Sequence, residues 1–188
     1  WSNGKSNFLV NSGKWYVEVK KITSTGSHNG GIVFEKNGNV GTLIEPVASE
    51  QSACGVFPLT ATGELYYNQT QQQTDASWTF AVGNILQYYI DLDNGTFQYY
   101  VNGVARGSQI TGVSSANDGY DYFFFANLES SSSGRYGKYE WNFGNGYFGT
   151  TAITTNSGNG YSGAEGSSKF NYTVPTGYSA LSTKGLNE

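Results

Sequence analysis

The stretch from Val82 to Val104 constrains the fold more than any other part of the chain. Asn94-Gly95 lies near its centre, and Asn-Gly is the preferred pair for a two-residue type I′ turn, because both central residues need φ > 0. Counting outward from such a turn predicts a β-hairpin with three apolar pairs on one face. These predicted pairs are Leu92 with Phe97, Ile90 with Tyr99, and Tyr88 with Val101.

The opposite face of the predicted hairpin is more polar. Its pairs would be Asp93 with Thr96, Asp91 with Gln98, and Tyr89 with Tyr100. A shift of the register by one residue would turn the apolar set toward water, so the apolar pattern and the turn chemistry favour the same pairing. We therefore expect one face of the hairpin to lie in a core and the other to be wetter.

From Gly83 the stretch reads Gly-x-Ile-x-x-x-x-Ile-Asp-Leu-Asp-x-Gly-Thr-Phe-x-Tyr-x-x-Asn-Gly-Val. This string resembles the central hairpin of SPRY domains. Gly13–Val19 resembles the opening strand of that family, and Trp141–Gly144 resembles its closing Asn-Phe-Gly strand. The tail Pro175–Leu186 resembles the ending of SPRY proteins from bacteriophages and environmental viruses. The resemblance covers most of the chain and implies a bent, concanavalin-like jelly roll, an all-β sandwich of two antiparallel sheets.

The chain departs from the family pattern in two places. Gln87-Tyr88 stand where small residues are common, and residues 145–169, rich in Gly, Ser, Thr and Asn, look like an insertion before the tail. A length of 188 residues suits one β-sandwich domain, so we predict a single SPRY-like domain over residues 1–188. Because the sequence begins at Trp1 and not at Met, we expect it to be excised from a longer polypeptide.

Composition and pattern favour an all-β chain independently of the resemblance. The chain has 15 Tyr, 11 Phe, 4 Trp and no Met, and aromatic residues favour strands. Short alternating segments separated by Gly and Asn turns are typical of a β-sandwich. Outside the hairpin, strands are predicted at residues 8–10, 15–19, 31–35, 65–67, 78–82, 122–126 and 139–143. Turns or loops are predicted at residues 3–4, 24–31, 68–77 and 130–134.

Charge and ligand count argue against several classes of function. Charged residues make up 13% of the chain and the net charge is −4, so no basic stripe suits nucleic acid or a membrane surface. Cys54 is the only cysteine, which excludes an intrachain disulfide, and with His28 as the only histidine a zinc site would need two carboxylates. Calcium could find oxygens at Asp91, Asp93 and Asn94, but no spacing matches a known calcium loop. We predict no metal and no cofactor.

The carboxylates argue against an enzyme. A glycoside hydrolase needs two acids close together, and Asp91 with Asp93 is the one pair with i, i+2 spacing among the candidate strand acids. These two residues flank a turn, where we expect them to bond backbone groups. Glu18 is predicted to have a hydrogen-bonded structural role. His28 lies in a predicted Gly-rich loop, which disfavours a Ser-His-Asp triad.

Binding through loops is the predicted activity. Tyr and Asn offer flat apolar area and hydrogen bonds at low entropic cost, which suits sugars or peptide edges. The SPRY resemblance implies docking on loops at one end of the sandwich. The candidate binding residues are His28, Asn29, Tyr66, Tyr67, Asn68, Asn117, Tyr120, Arg135 and Tyr136.

Three functions remain open at this point. The first is a non-enzymatic module on the surface of a virion, which contacts other virion subunits or a host-surface protein or glycan. The virus-like tail and the neutral polar composition favour it. The second is an intracellular, cytoplasmic SPRY adaptor that recognises a peptide. The third is a glycan-processing enzyme on a related sandwich, and the missing carboxylate pair argues against it.

Overall fold

A computed structural model describes residues 2–5, 10–25, 28–36, 53–59, 64–67, 70–75, 81–112, 120–128, 136–154, 162–164 and 166–182. Within these residues the regular elements are fourteen strands. They are β1 Ser2–Lys5, β2 Lys14–Thr25, β3 His28–Lys36, β4 Ala53–Leu59, β5 Glu64–Tyr67, β6 Thr70–Thr74, β7 Ile85–Asp91, β8 Thr96–Val101, β9 Val104–Thr111, β10 Tyr120–Leu128, β11 Tyr136–Asn142, β12 Tyr147–Phe148, β13 Thr151–Ala152 and β14 Ser179–Ala180. In this part of the chain no helix has the length and apolarity needed to cross a membrane.

The strands form two large sheets and one short hairpin. The first sheet has the order β1-β10-β3-β4-β5-β6, and the second has the order β11-β2-β7-β8-β9 with β14 added in parallel beside β2. β12 and β13 form the hairpin. The chain divides into two compact units, one over Trp1–Asn11, Ile22–Val82 and Asn117–Lys138 and the other over Ser12–Lys21, Gly83–Ala116 and Tyr139–Glu188.

Most strands predicted from alternating apolar residues are confirmed. The predicted segments at 15–19, 31–35, 65–67 and 122–126 lie inside β2, β3, β5 and β10, and the segment at 139–143 overlaps the end of β11. The observed strands are longer than the predicted segments, by up to seven residues in β2. Two further strands were predicted at 8–10 and 78–82, and residues 8–9 and 78–80 of these lie outside the described residues. Val10 forms a single bridge, and Val82 belongs to a turn with Gly83.

Three predicted turns or loops are wrong. Asn3-Gly4 lies inside β1, opposite Asn127 and Ala126 of β10. The predicted loop at 24–31 is largely strand, because β2 extends to Thr25 and β3 begins at His28. The predicted loop at 68–77 contains β6. In each case hydrogen bonds to a neighbouring strand satisfy the backbone, and this outweighs the weak strand preference of Gly, Asn and Gln.

β7 and β8 form the predicted hairpin, but the predicted register is wrong by two residues. The observed pairs include Asp91 with Thr96, Ile90 with Phe97, and Tyr88 with Tyr99. The connecting loop therefore contains four residues, 92–95, and not two. Because side chains alternate with a period of two, a shift of two keeps every residue on its predicted face.

Hydrogen bonds at Asp91 explain the longer loop. Its Oδ1 accepts the Asn94 backbone N–H at 2.9 Å, and its Oδ2 accepts the Asn94 side-chain amide at 2.8 Å. Leu92 is fully buried, and its N–H donates to the Gly13 carbonyl at 2.9 Å. In the loop only Gly95 has a positive φ, +64°, whereas a type I′ turn needs two such residues.

The type I′ pattern occurs at the next Asn-Gly pair. Asn102 and Gly103 join β8 to β9 with φ angles of 51° and 78°, and Val101 lies opposite Val104. The Asn102 Oδ1 accepts the Ile85 N–H at 2.9 Å, which fixes the side chain as well as the backbone. The type I′ turn therefore forms at Asn102-Gly103 in the β8–β9 hairpin. It does not form at Asn94-Gly95 in the β7–β8 hairpin.

Replacing Gly95 tests the four-residue loop. We expect Gly95→Val to lower the free energy of unfolding by about 1–3 kcal/mol, because a β-branched residue is strained at positive φ. Urea denaturation gives the value. Thr111→Val, on the exposed side of β9, is the control and should change it by less than about 0.5 kcal/mol. Equal stabilities for the Gly95 variant and the parent would contradict the observed loop conformation.

β7 is buried along its whole length. The predicted core face is confirmed: Leu86, Tyr88 and Ile90 are no more than 1% exposed. The prediction of a wetter second face is wrong for β7, because Gln87 and Tyr89 are buried as well. Residues 168–182 cover this face, with Phe170 and Ala180 packed in one cluster with Tyr16 and Tyr89. A strand covered on both faces loses the polar alternation expected of a sheet with one solvated side.

Candidate functional site

The predicted binding residues of the first sheet do not share one end of it. His28 and Asn29 open β3, where His28 lies opposite Leu128 of β10. Tyr120 opens β10 opposite Lys36, at the other end of β3. Eight residue steps at about 3.3 Å each separate the two ends of β3 by about 26 Å. The register therefore divides these candidates between two surfaces.

Tyr66 and Tyr67 form the end of β5. They lie opposite Phe57 and Val56 of β4, and Val56 in turn pairs with Ile32, midway along β3. The two tyrosines therefore lie between the two ends of β3. Both are strand residues, and Tyr67, the last residue of β5, lies opposite Thr70 of β6.

The remaining candidates fall into two groups. Tyr136 is the first residue of β11. Asn68, Asn117 and Arg135 lie outside the described residues. The prediction that His28 belongs to a loop is wrong, because it opens β3. The binding role of all nine residues stays a prediction.

The carboxylate of Glu18 accepts four hydrogen bonds. It lies on β2 and is fully buried. Its Oε1 accepts the Tyr16 hydroxyl and the Tyr172 N–H, both at 2.8 Å. Its Oε2 accepts the Asn171 N–H at 2.8 Å and the Asn142 side-chain amide at 3.3 Å. Four donors thus surround one carboxylate, and two of them belong to the backbone of a segment more than 150 residues away.

Burial dominates the electrostatics of this carboxylate. Loss of solvation raises the pKa of Glu18 above its ordinary value of 4.5, while the hydrogen bonds from Asn171, Tyr172, Tyr16 and Asn142 act in the opposite direction. Each oxygen of the Glu18 carboxylate already accepts two hydrogen bonds and the side chain is buried, so the group is not accessible to a substrate. The predicted structural role of Glu18 agrees with this geometry.

The raised pKa of Glu18 has a testable sign. A carboxyl group with a higher pKa in the folded state favours folding when protonated, and this contribution disappears as the pH rises through the folded-state pKa. We therefore expect the stability of the parent, measured relative to Glu18→Gln, to fall as the pH rises above about 4.5. Urea titrations of both proteins across the acidic range give this difference. A relative stability that rises with pH over that range would contradict a raised pKa.

Asn142 joins Glu18 to the turn that follows β11. Its side-chain amide donates to Glu18 and to the Lys169 carbonyl, the latter at 2.9 Å. Its Oδ1 accepts the N–H of Gly144 at 2.9 Å and of Gly146 at 3.3 Å. All four hydrogen bonds of the Asn142 side chain are made to other residues of the protein, so Asn142 has a structural role. The spacing of residues in the sequence did not predict this role. The Asn-Phe-Gly motif was the only signal for it.

Asp91 and Asp93 also have structural roles. Asp91 is buried and forms an ion pair with Lys14, Nζ to Oδ2, at 2.9 Å. Burial raises its pKa, but the hydrogen bonds from Asn94 and Lys14 outweigh that effect and hold the pKa below its ordinary value. The Asp93 Oδ1 accepts the Gly13 N–H at 2.8 Å. The two acids hold the loop against the start of β2, as expected for turn residues.

A group of aromatic rings lies on the same face of β2, β7 and β8 as Glu18. Tyr16 stacks on Tyr89 at 5.0 Å between ring centroids, and Phe170 meets Tyr16 edge-on at 4.6 Å. Tyr100 and Tyr178 contact Tyr89 at 4.5 and 5.9 Å and are only half-buried. Burial raises the pKa of Tyr178 to about 12, so its phenol is neutral at physiological pH. The group can offer apolar area and hydrogen bonds, and no ionised side chain.

Among the described residues, no three His, Cys, Asp or Glu side chains lie close enough together to hold a metal ion. The single Cys54 belongs to β4, where it lies opposite Phe34.

Comparisons with known proteins give a likeness of fold. No protein-family model matches the sequence. No curated protein matches it either. The SPRY domain of human HERC1 superposes with a TM-score of 0.53 and 16% identity, over 74% of this chain and 80% of that one. The TRIM65 PSpry domain superposes with a TM-score of 0.48 and 13% identity, over 68% of this chain and 64% of that one.

The all-strand structure and the likeness to the HERC1 domain lead to one conclusion about architecture. The chain has the SPRY-domain fold, an all-β sandwich, as the resemblance of its central hairpin implied.

Proposed function

We propose that this chain is a non-enzymatic binding or structural module of a phage or virus protein. It would lie on the virion surface and contact other virion subunits or a host-surface protein or glycan. A cytoplasmic SPRY adaptor that recognises a peptide is the alternative, and the same fold accommodates it.

The proposal that the protein is not an enzyme rests on the hydrogen bonds of its buried acids Glu18 and Asp91. Glu18 accepts four hydrogen bonds from the fold, and Asp91 is held by Lys14 and Asn94. General acid–base catalysis requires a carboxyl group within hydrogen-bond reach of a substrate proton. Neither acid has an oxygen left for that purpose, which supports binding and not catalysis.

The proposed location on a virion rests on the C-terminal segment of the sequence and on the exposed residues of β9. The segment from Pro175 onward resembles the ending of phage and environmental-virus SPRY proteins. The exposed residues of β9 include Ser108, Gln109 and Thr111, which are neutral and polar. Such a surface suits an exposed particle and offers hydrogen bonds to neutral partners.

The test separates the tyrosine candidates from His28 and Asn29, which lie at the end of β3 opposite to that of Tyr120. A fluorescently labelled protein would be incubated with candidate host cells and, separately, with purified virion subunits. One variant carries Tyr66→Ala, Tyr67→Ala and Tyr120→Ala, and a second carries His28→Ala and Asn29→Ala. Tyr147→Ala is the matched control, because Tyr147 is 45% exposed and is not a candidate. A few large anchors dominate most interfaces, so one variant should lose binding while the control keeps it.

The outcomes separate the candidate functions. Binding to cells supports a host-contact role, and binding to virion subunits alone supports an assembly role. Binding that survives both sets of substitutions, in variants that keep the parent's thermal midpoint, contradicts the proposed residues. Binding to neither, with capture of a peptide from a cytoplasmic library, would favour the adaptor. Release of reducing sugars from host glycans would contradict the non-enzymatic proposal.

A further inference from the structure

The face of the second sheet that carries Glu18, called here the Glu18 face, is covered unevenly. Residues 168–182 cover β7, whose residues are all buried. In β8 buried and half-buried residues alternate, and the half-buried ones lie on the Glu18 face: Thr96, Gln98 and Tyr100. The cover therefore ends at β8 and leaves a strip of this strand partly open to solvent.

The edge of the covering segment forms one side of this strip. Val174 and Tyr178 are partly buried and pack, together with Tyr100, against the cluster that contains Tyr89. The rings of Tyr100 and Tyr178 contact the Tyr89 ring at 4.5 and 5.9 Å between centroids. Two half-buried aromatic rings thus border the strip.

A bulge in β9 forms the other side. The β8–β9 register shifts by two residues, which places residues 107–109 opposite Gln98 alone. The Gln98 side-chain amide donates to the carbonyls of Arg106 and Gly107 at 2.9 and 3.3 Å. Because the Gln98 side chain lies on the Glu18 face, these hydrogen bonds hold the bulge beside that face. The strip is therefore a groove with β8 as its floor.

The width and the side chains of the groove suit a small neutral ligand. β7 and β9 each lie about 4.8 Å from β8, so the groove is about 10 Å wide. The phenol of Tyr178 is a neutral hydrogen-bonding group, because its pKa is raised to about 12. The side chains that line the groove are uncharged: Thr96, Gln98, Tyr100, Val174 and Tyr178.

A neutral sugar fits these groups better than an anionic sugar or an added peptide strand. The C–H face of a sugar ring packs on an aromatic ring, and the sugar hydroxyls bond to phenol and hydroxyl groups. The net charge of −4 disfavours an anionic sugar. β8 is already paired with β7 and β9, so its backbone cannot bind an extended peptide as a further strand.

We propose that the groove between residues 174–178 and the β9 bulge binds a neutral saccharide, with the Tyr100 ring as the platform for one sugar ring. This inference rests on the proposed function, because it names the chemical class of the molecule that the binding module contacts. It assigns that contact to residues that are not among the nine candidates predicted from the sequence.

The test measures saccharide binding by titration calorimetry on the full chain. The neutral probes are maltohexaose, cellohexaose and chitohexaose, with polygalacturonate as the anionic probe and decaproline as the peptide probe. Tyr100→Val removes the platform and keeps a residue that favours strands. We expect at least one neutral probe to bind the parent, and Tyr100→Val to weaken its affinity by about tenfold or more.

A second variant blocks the groove and leaves the aromatic cluster intact. Ala105 is exposed and lies opposite Tyr100, so the two Cβ atoms are about 5 Å apart on the same face. In Ala105→Arg the guanidinium can lie over the Tyr100 ring and cover it. This variant should also weaken binding by about tenfold or more. Tyr147→Ala, an exposed tyrosine on β12, is the control and should bind like the parent.

Three results would overturn the proposal. The first is a parent that binds none of the neutral probes. The second is binding of a neutral probe that both groove variants retain, in proteins with the parent's thermal midpoint. The third is binding that depends on Tyr100 for polygalacturonate or decaproline alone, which would assign the groove to an anionic sugar or to a peptide.

The cell and virion-subunit assay separates this proposal from the proposed function. If the parent and Tyr100→Val bind cells or subunits equally well and neither binds a neutral probe, the groove proposal is wrong and the binding module stands. If the parent binds neither cells nor subunits, the proposed function is contradicted, whichever saccharide result is obtained.

Discussion

Glu18→Ala should lower the free energy of unfolding by about 3–5 kcal/mol. The carboxylate is fully buried and accepts four hydrogen bonds. Alanine would leave the N–H groups of Asn171 and Tyr172 without an acceptor, and each orphaned buried donor costs about 1–3 kcal/mol. Urea denaturation near pH 6 measures the loss.

Tyr16→Phe is the matched control for this loss. It removes one of the four donors and keeps the ring that stacks on Tyr89, so it should cost about 1 kcal/mol. Limited proteolysis adds a second readout, because without Glu18 the segment 168–182 should open more often than the rest of the unit. If Glu18→Ala costs no more than Tyr16→Phe, then the carboxylate does not anchor that segment.

Gly144→Ala should cost about 3–5 kcal/mol for two additive reasons. Gly144 has a φ of +96°, which strains any residue with a side chain. An added Cβ would also lie 2.7 Å from the Ser168 Cβ and 2.8 Å from the Ala180 Cβ. Both neighbours are buried and too short to rotate away, so the backbone would have to move.

Gly177→Ala separates the two reasons. Gly177 has a similar φ of +84°, but an added Cβ would meet nothing within 4 Å. Its cost should be that of the backbone alone, about 1 kcal/mol. Comparable losses for both variants, measured by urea denaturation, would show that the close approach at Gly144 relaxes without cost.

Several parts of the fold could be predicted from short segments. The alternation in Trp15, Val17 and Val19 identifies β2, because a period of two is a local property of the backbone. The same argument identifies the buried face of the β7–β8 hairpin. The structural role of Glu18 was also predicted, from its match to a family position on the opening strand.

The candidate site shows where this reasoning stops. The SPRY resemblance implied one docking surface for candidates such as His28 and Tyr120, but the pairing of β3 with β10 puts these two at opposite ends of a nine-residue strand. Strand register depends on contacts between residues far apart in sequence. No property of the residues around His28 encodes it.

By itself the sequence determined that the chain is all-β and which face of its central hairpin is apolar. Those features follow from residue alternation and turn chemistry, and they survive a register shift of two residues. The tertiary structure alone decided that β7 is covered on both faces and that Glu18 binds Asn171 and Tyr172. The physical reason is distance along the chain: each of these contacts joins β2 or β7 to the segment 168–182, and only folding brings them together.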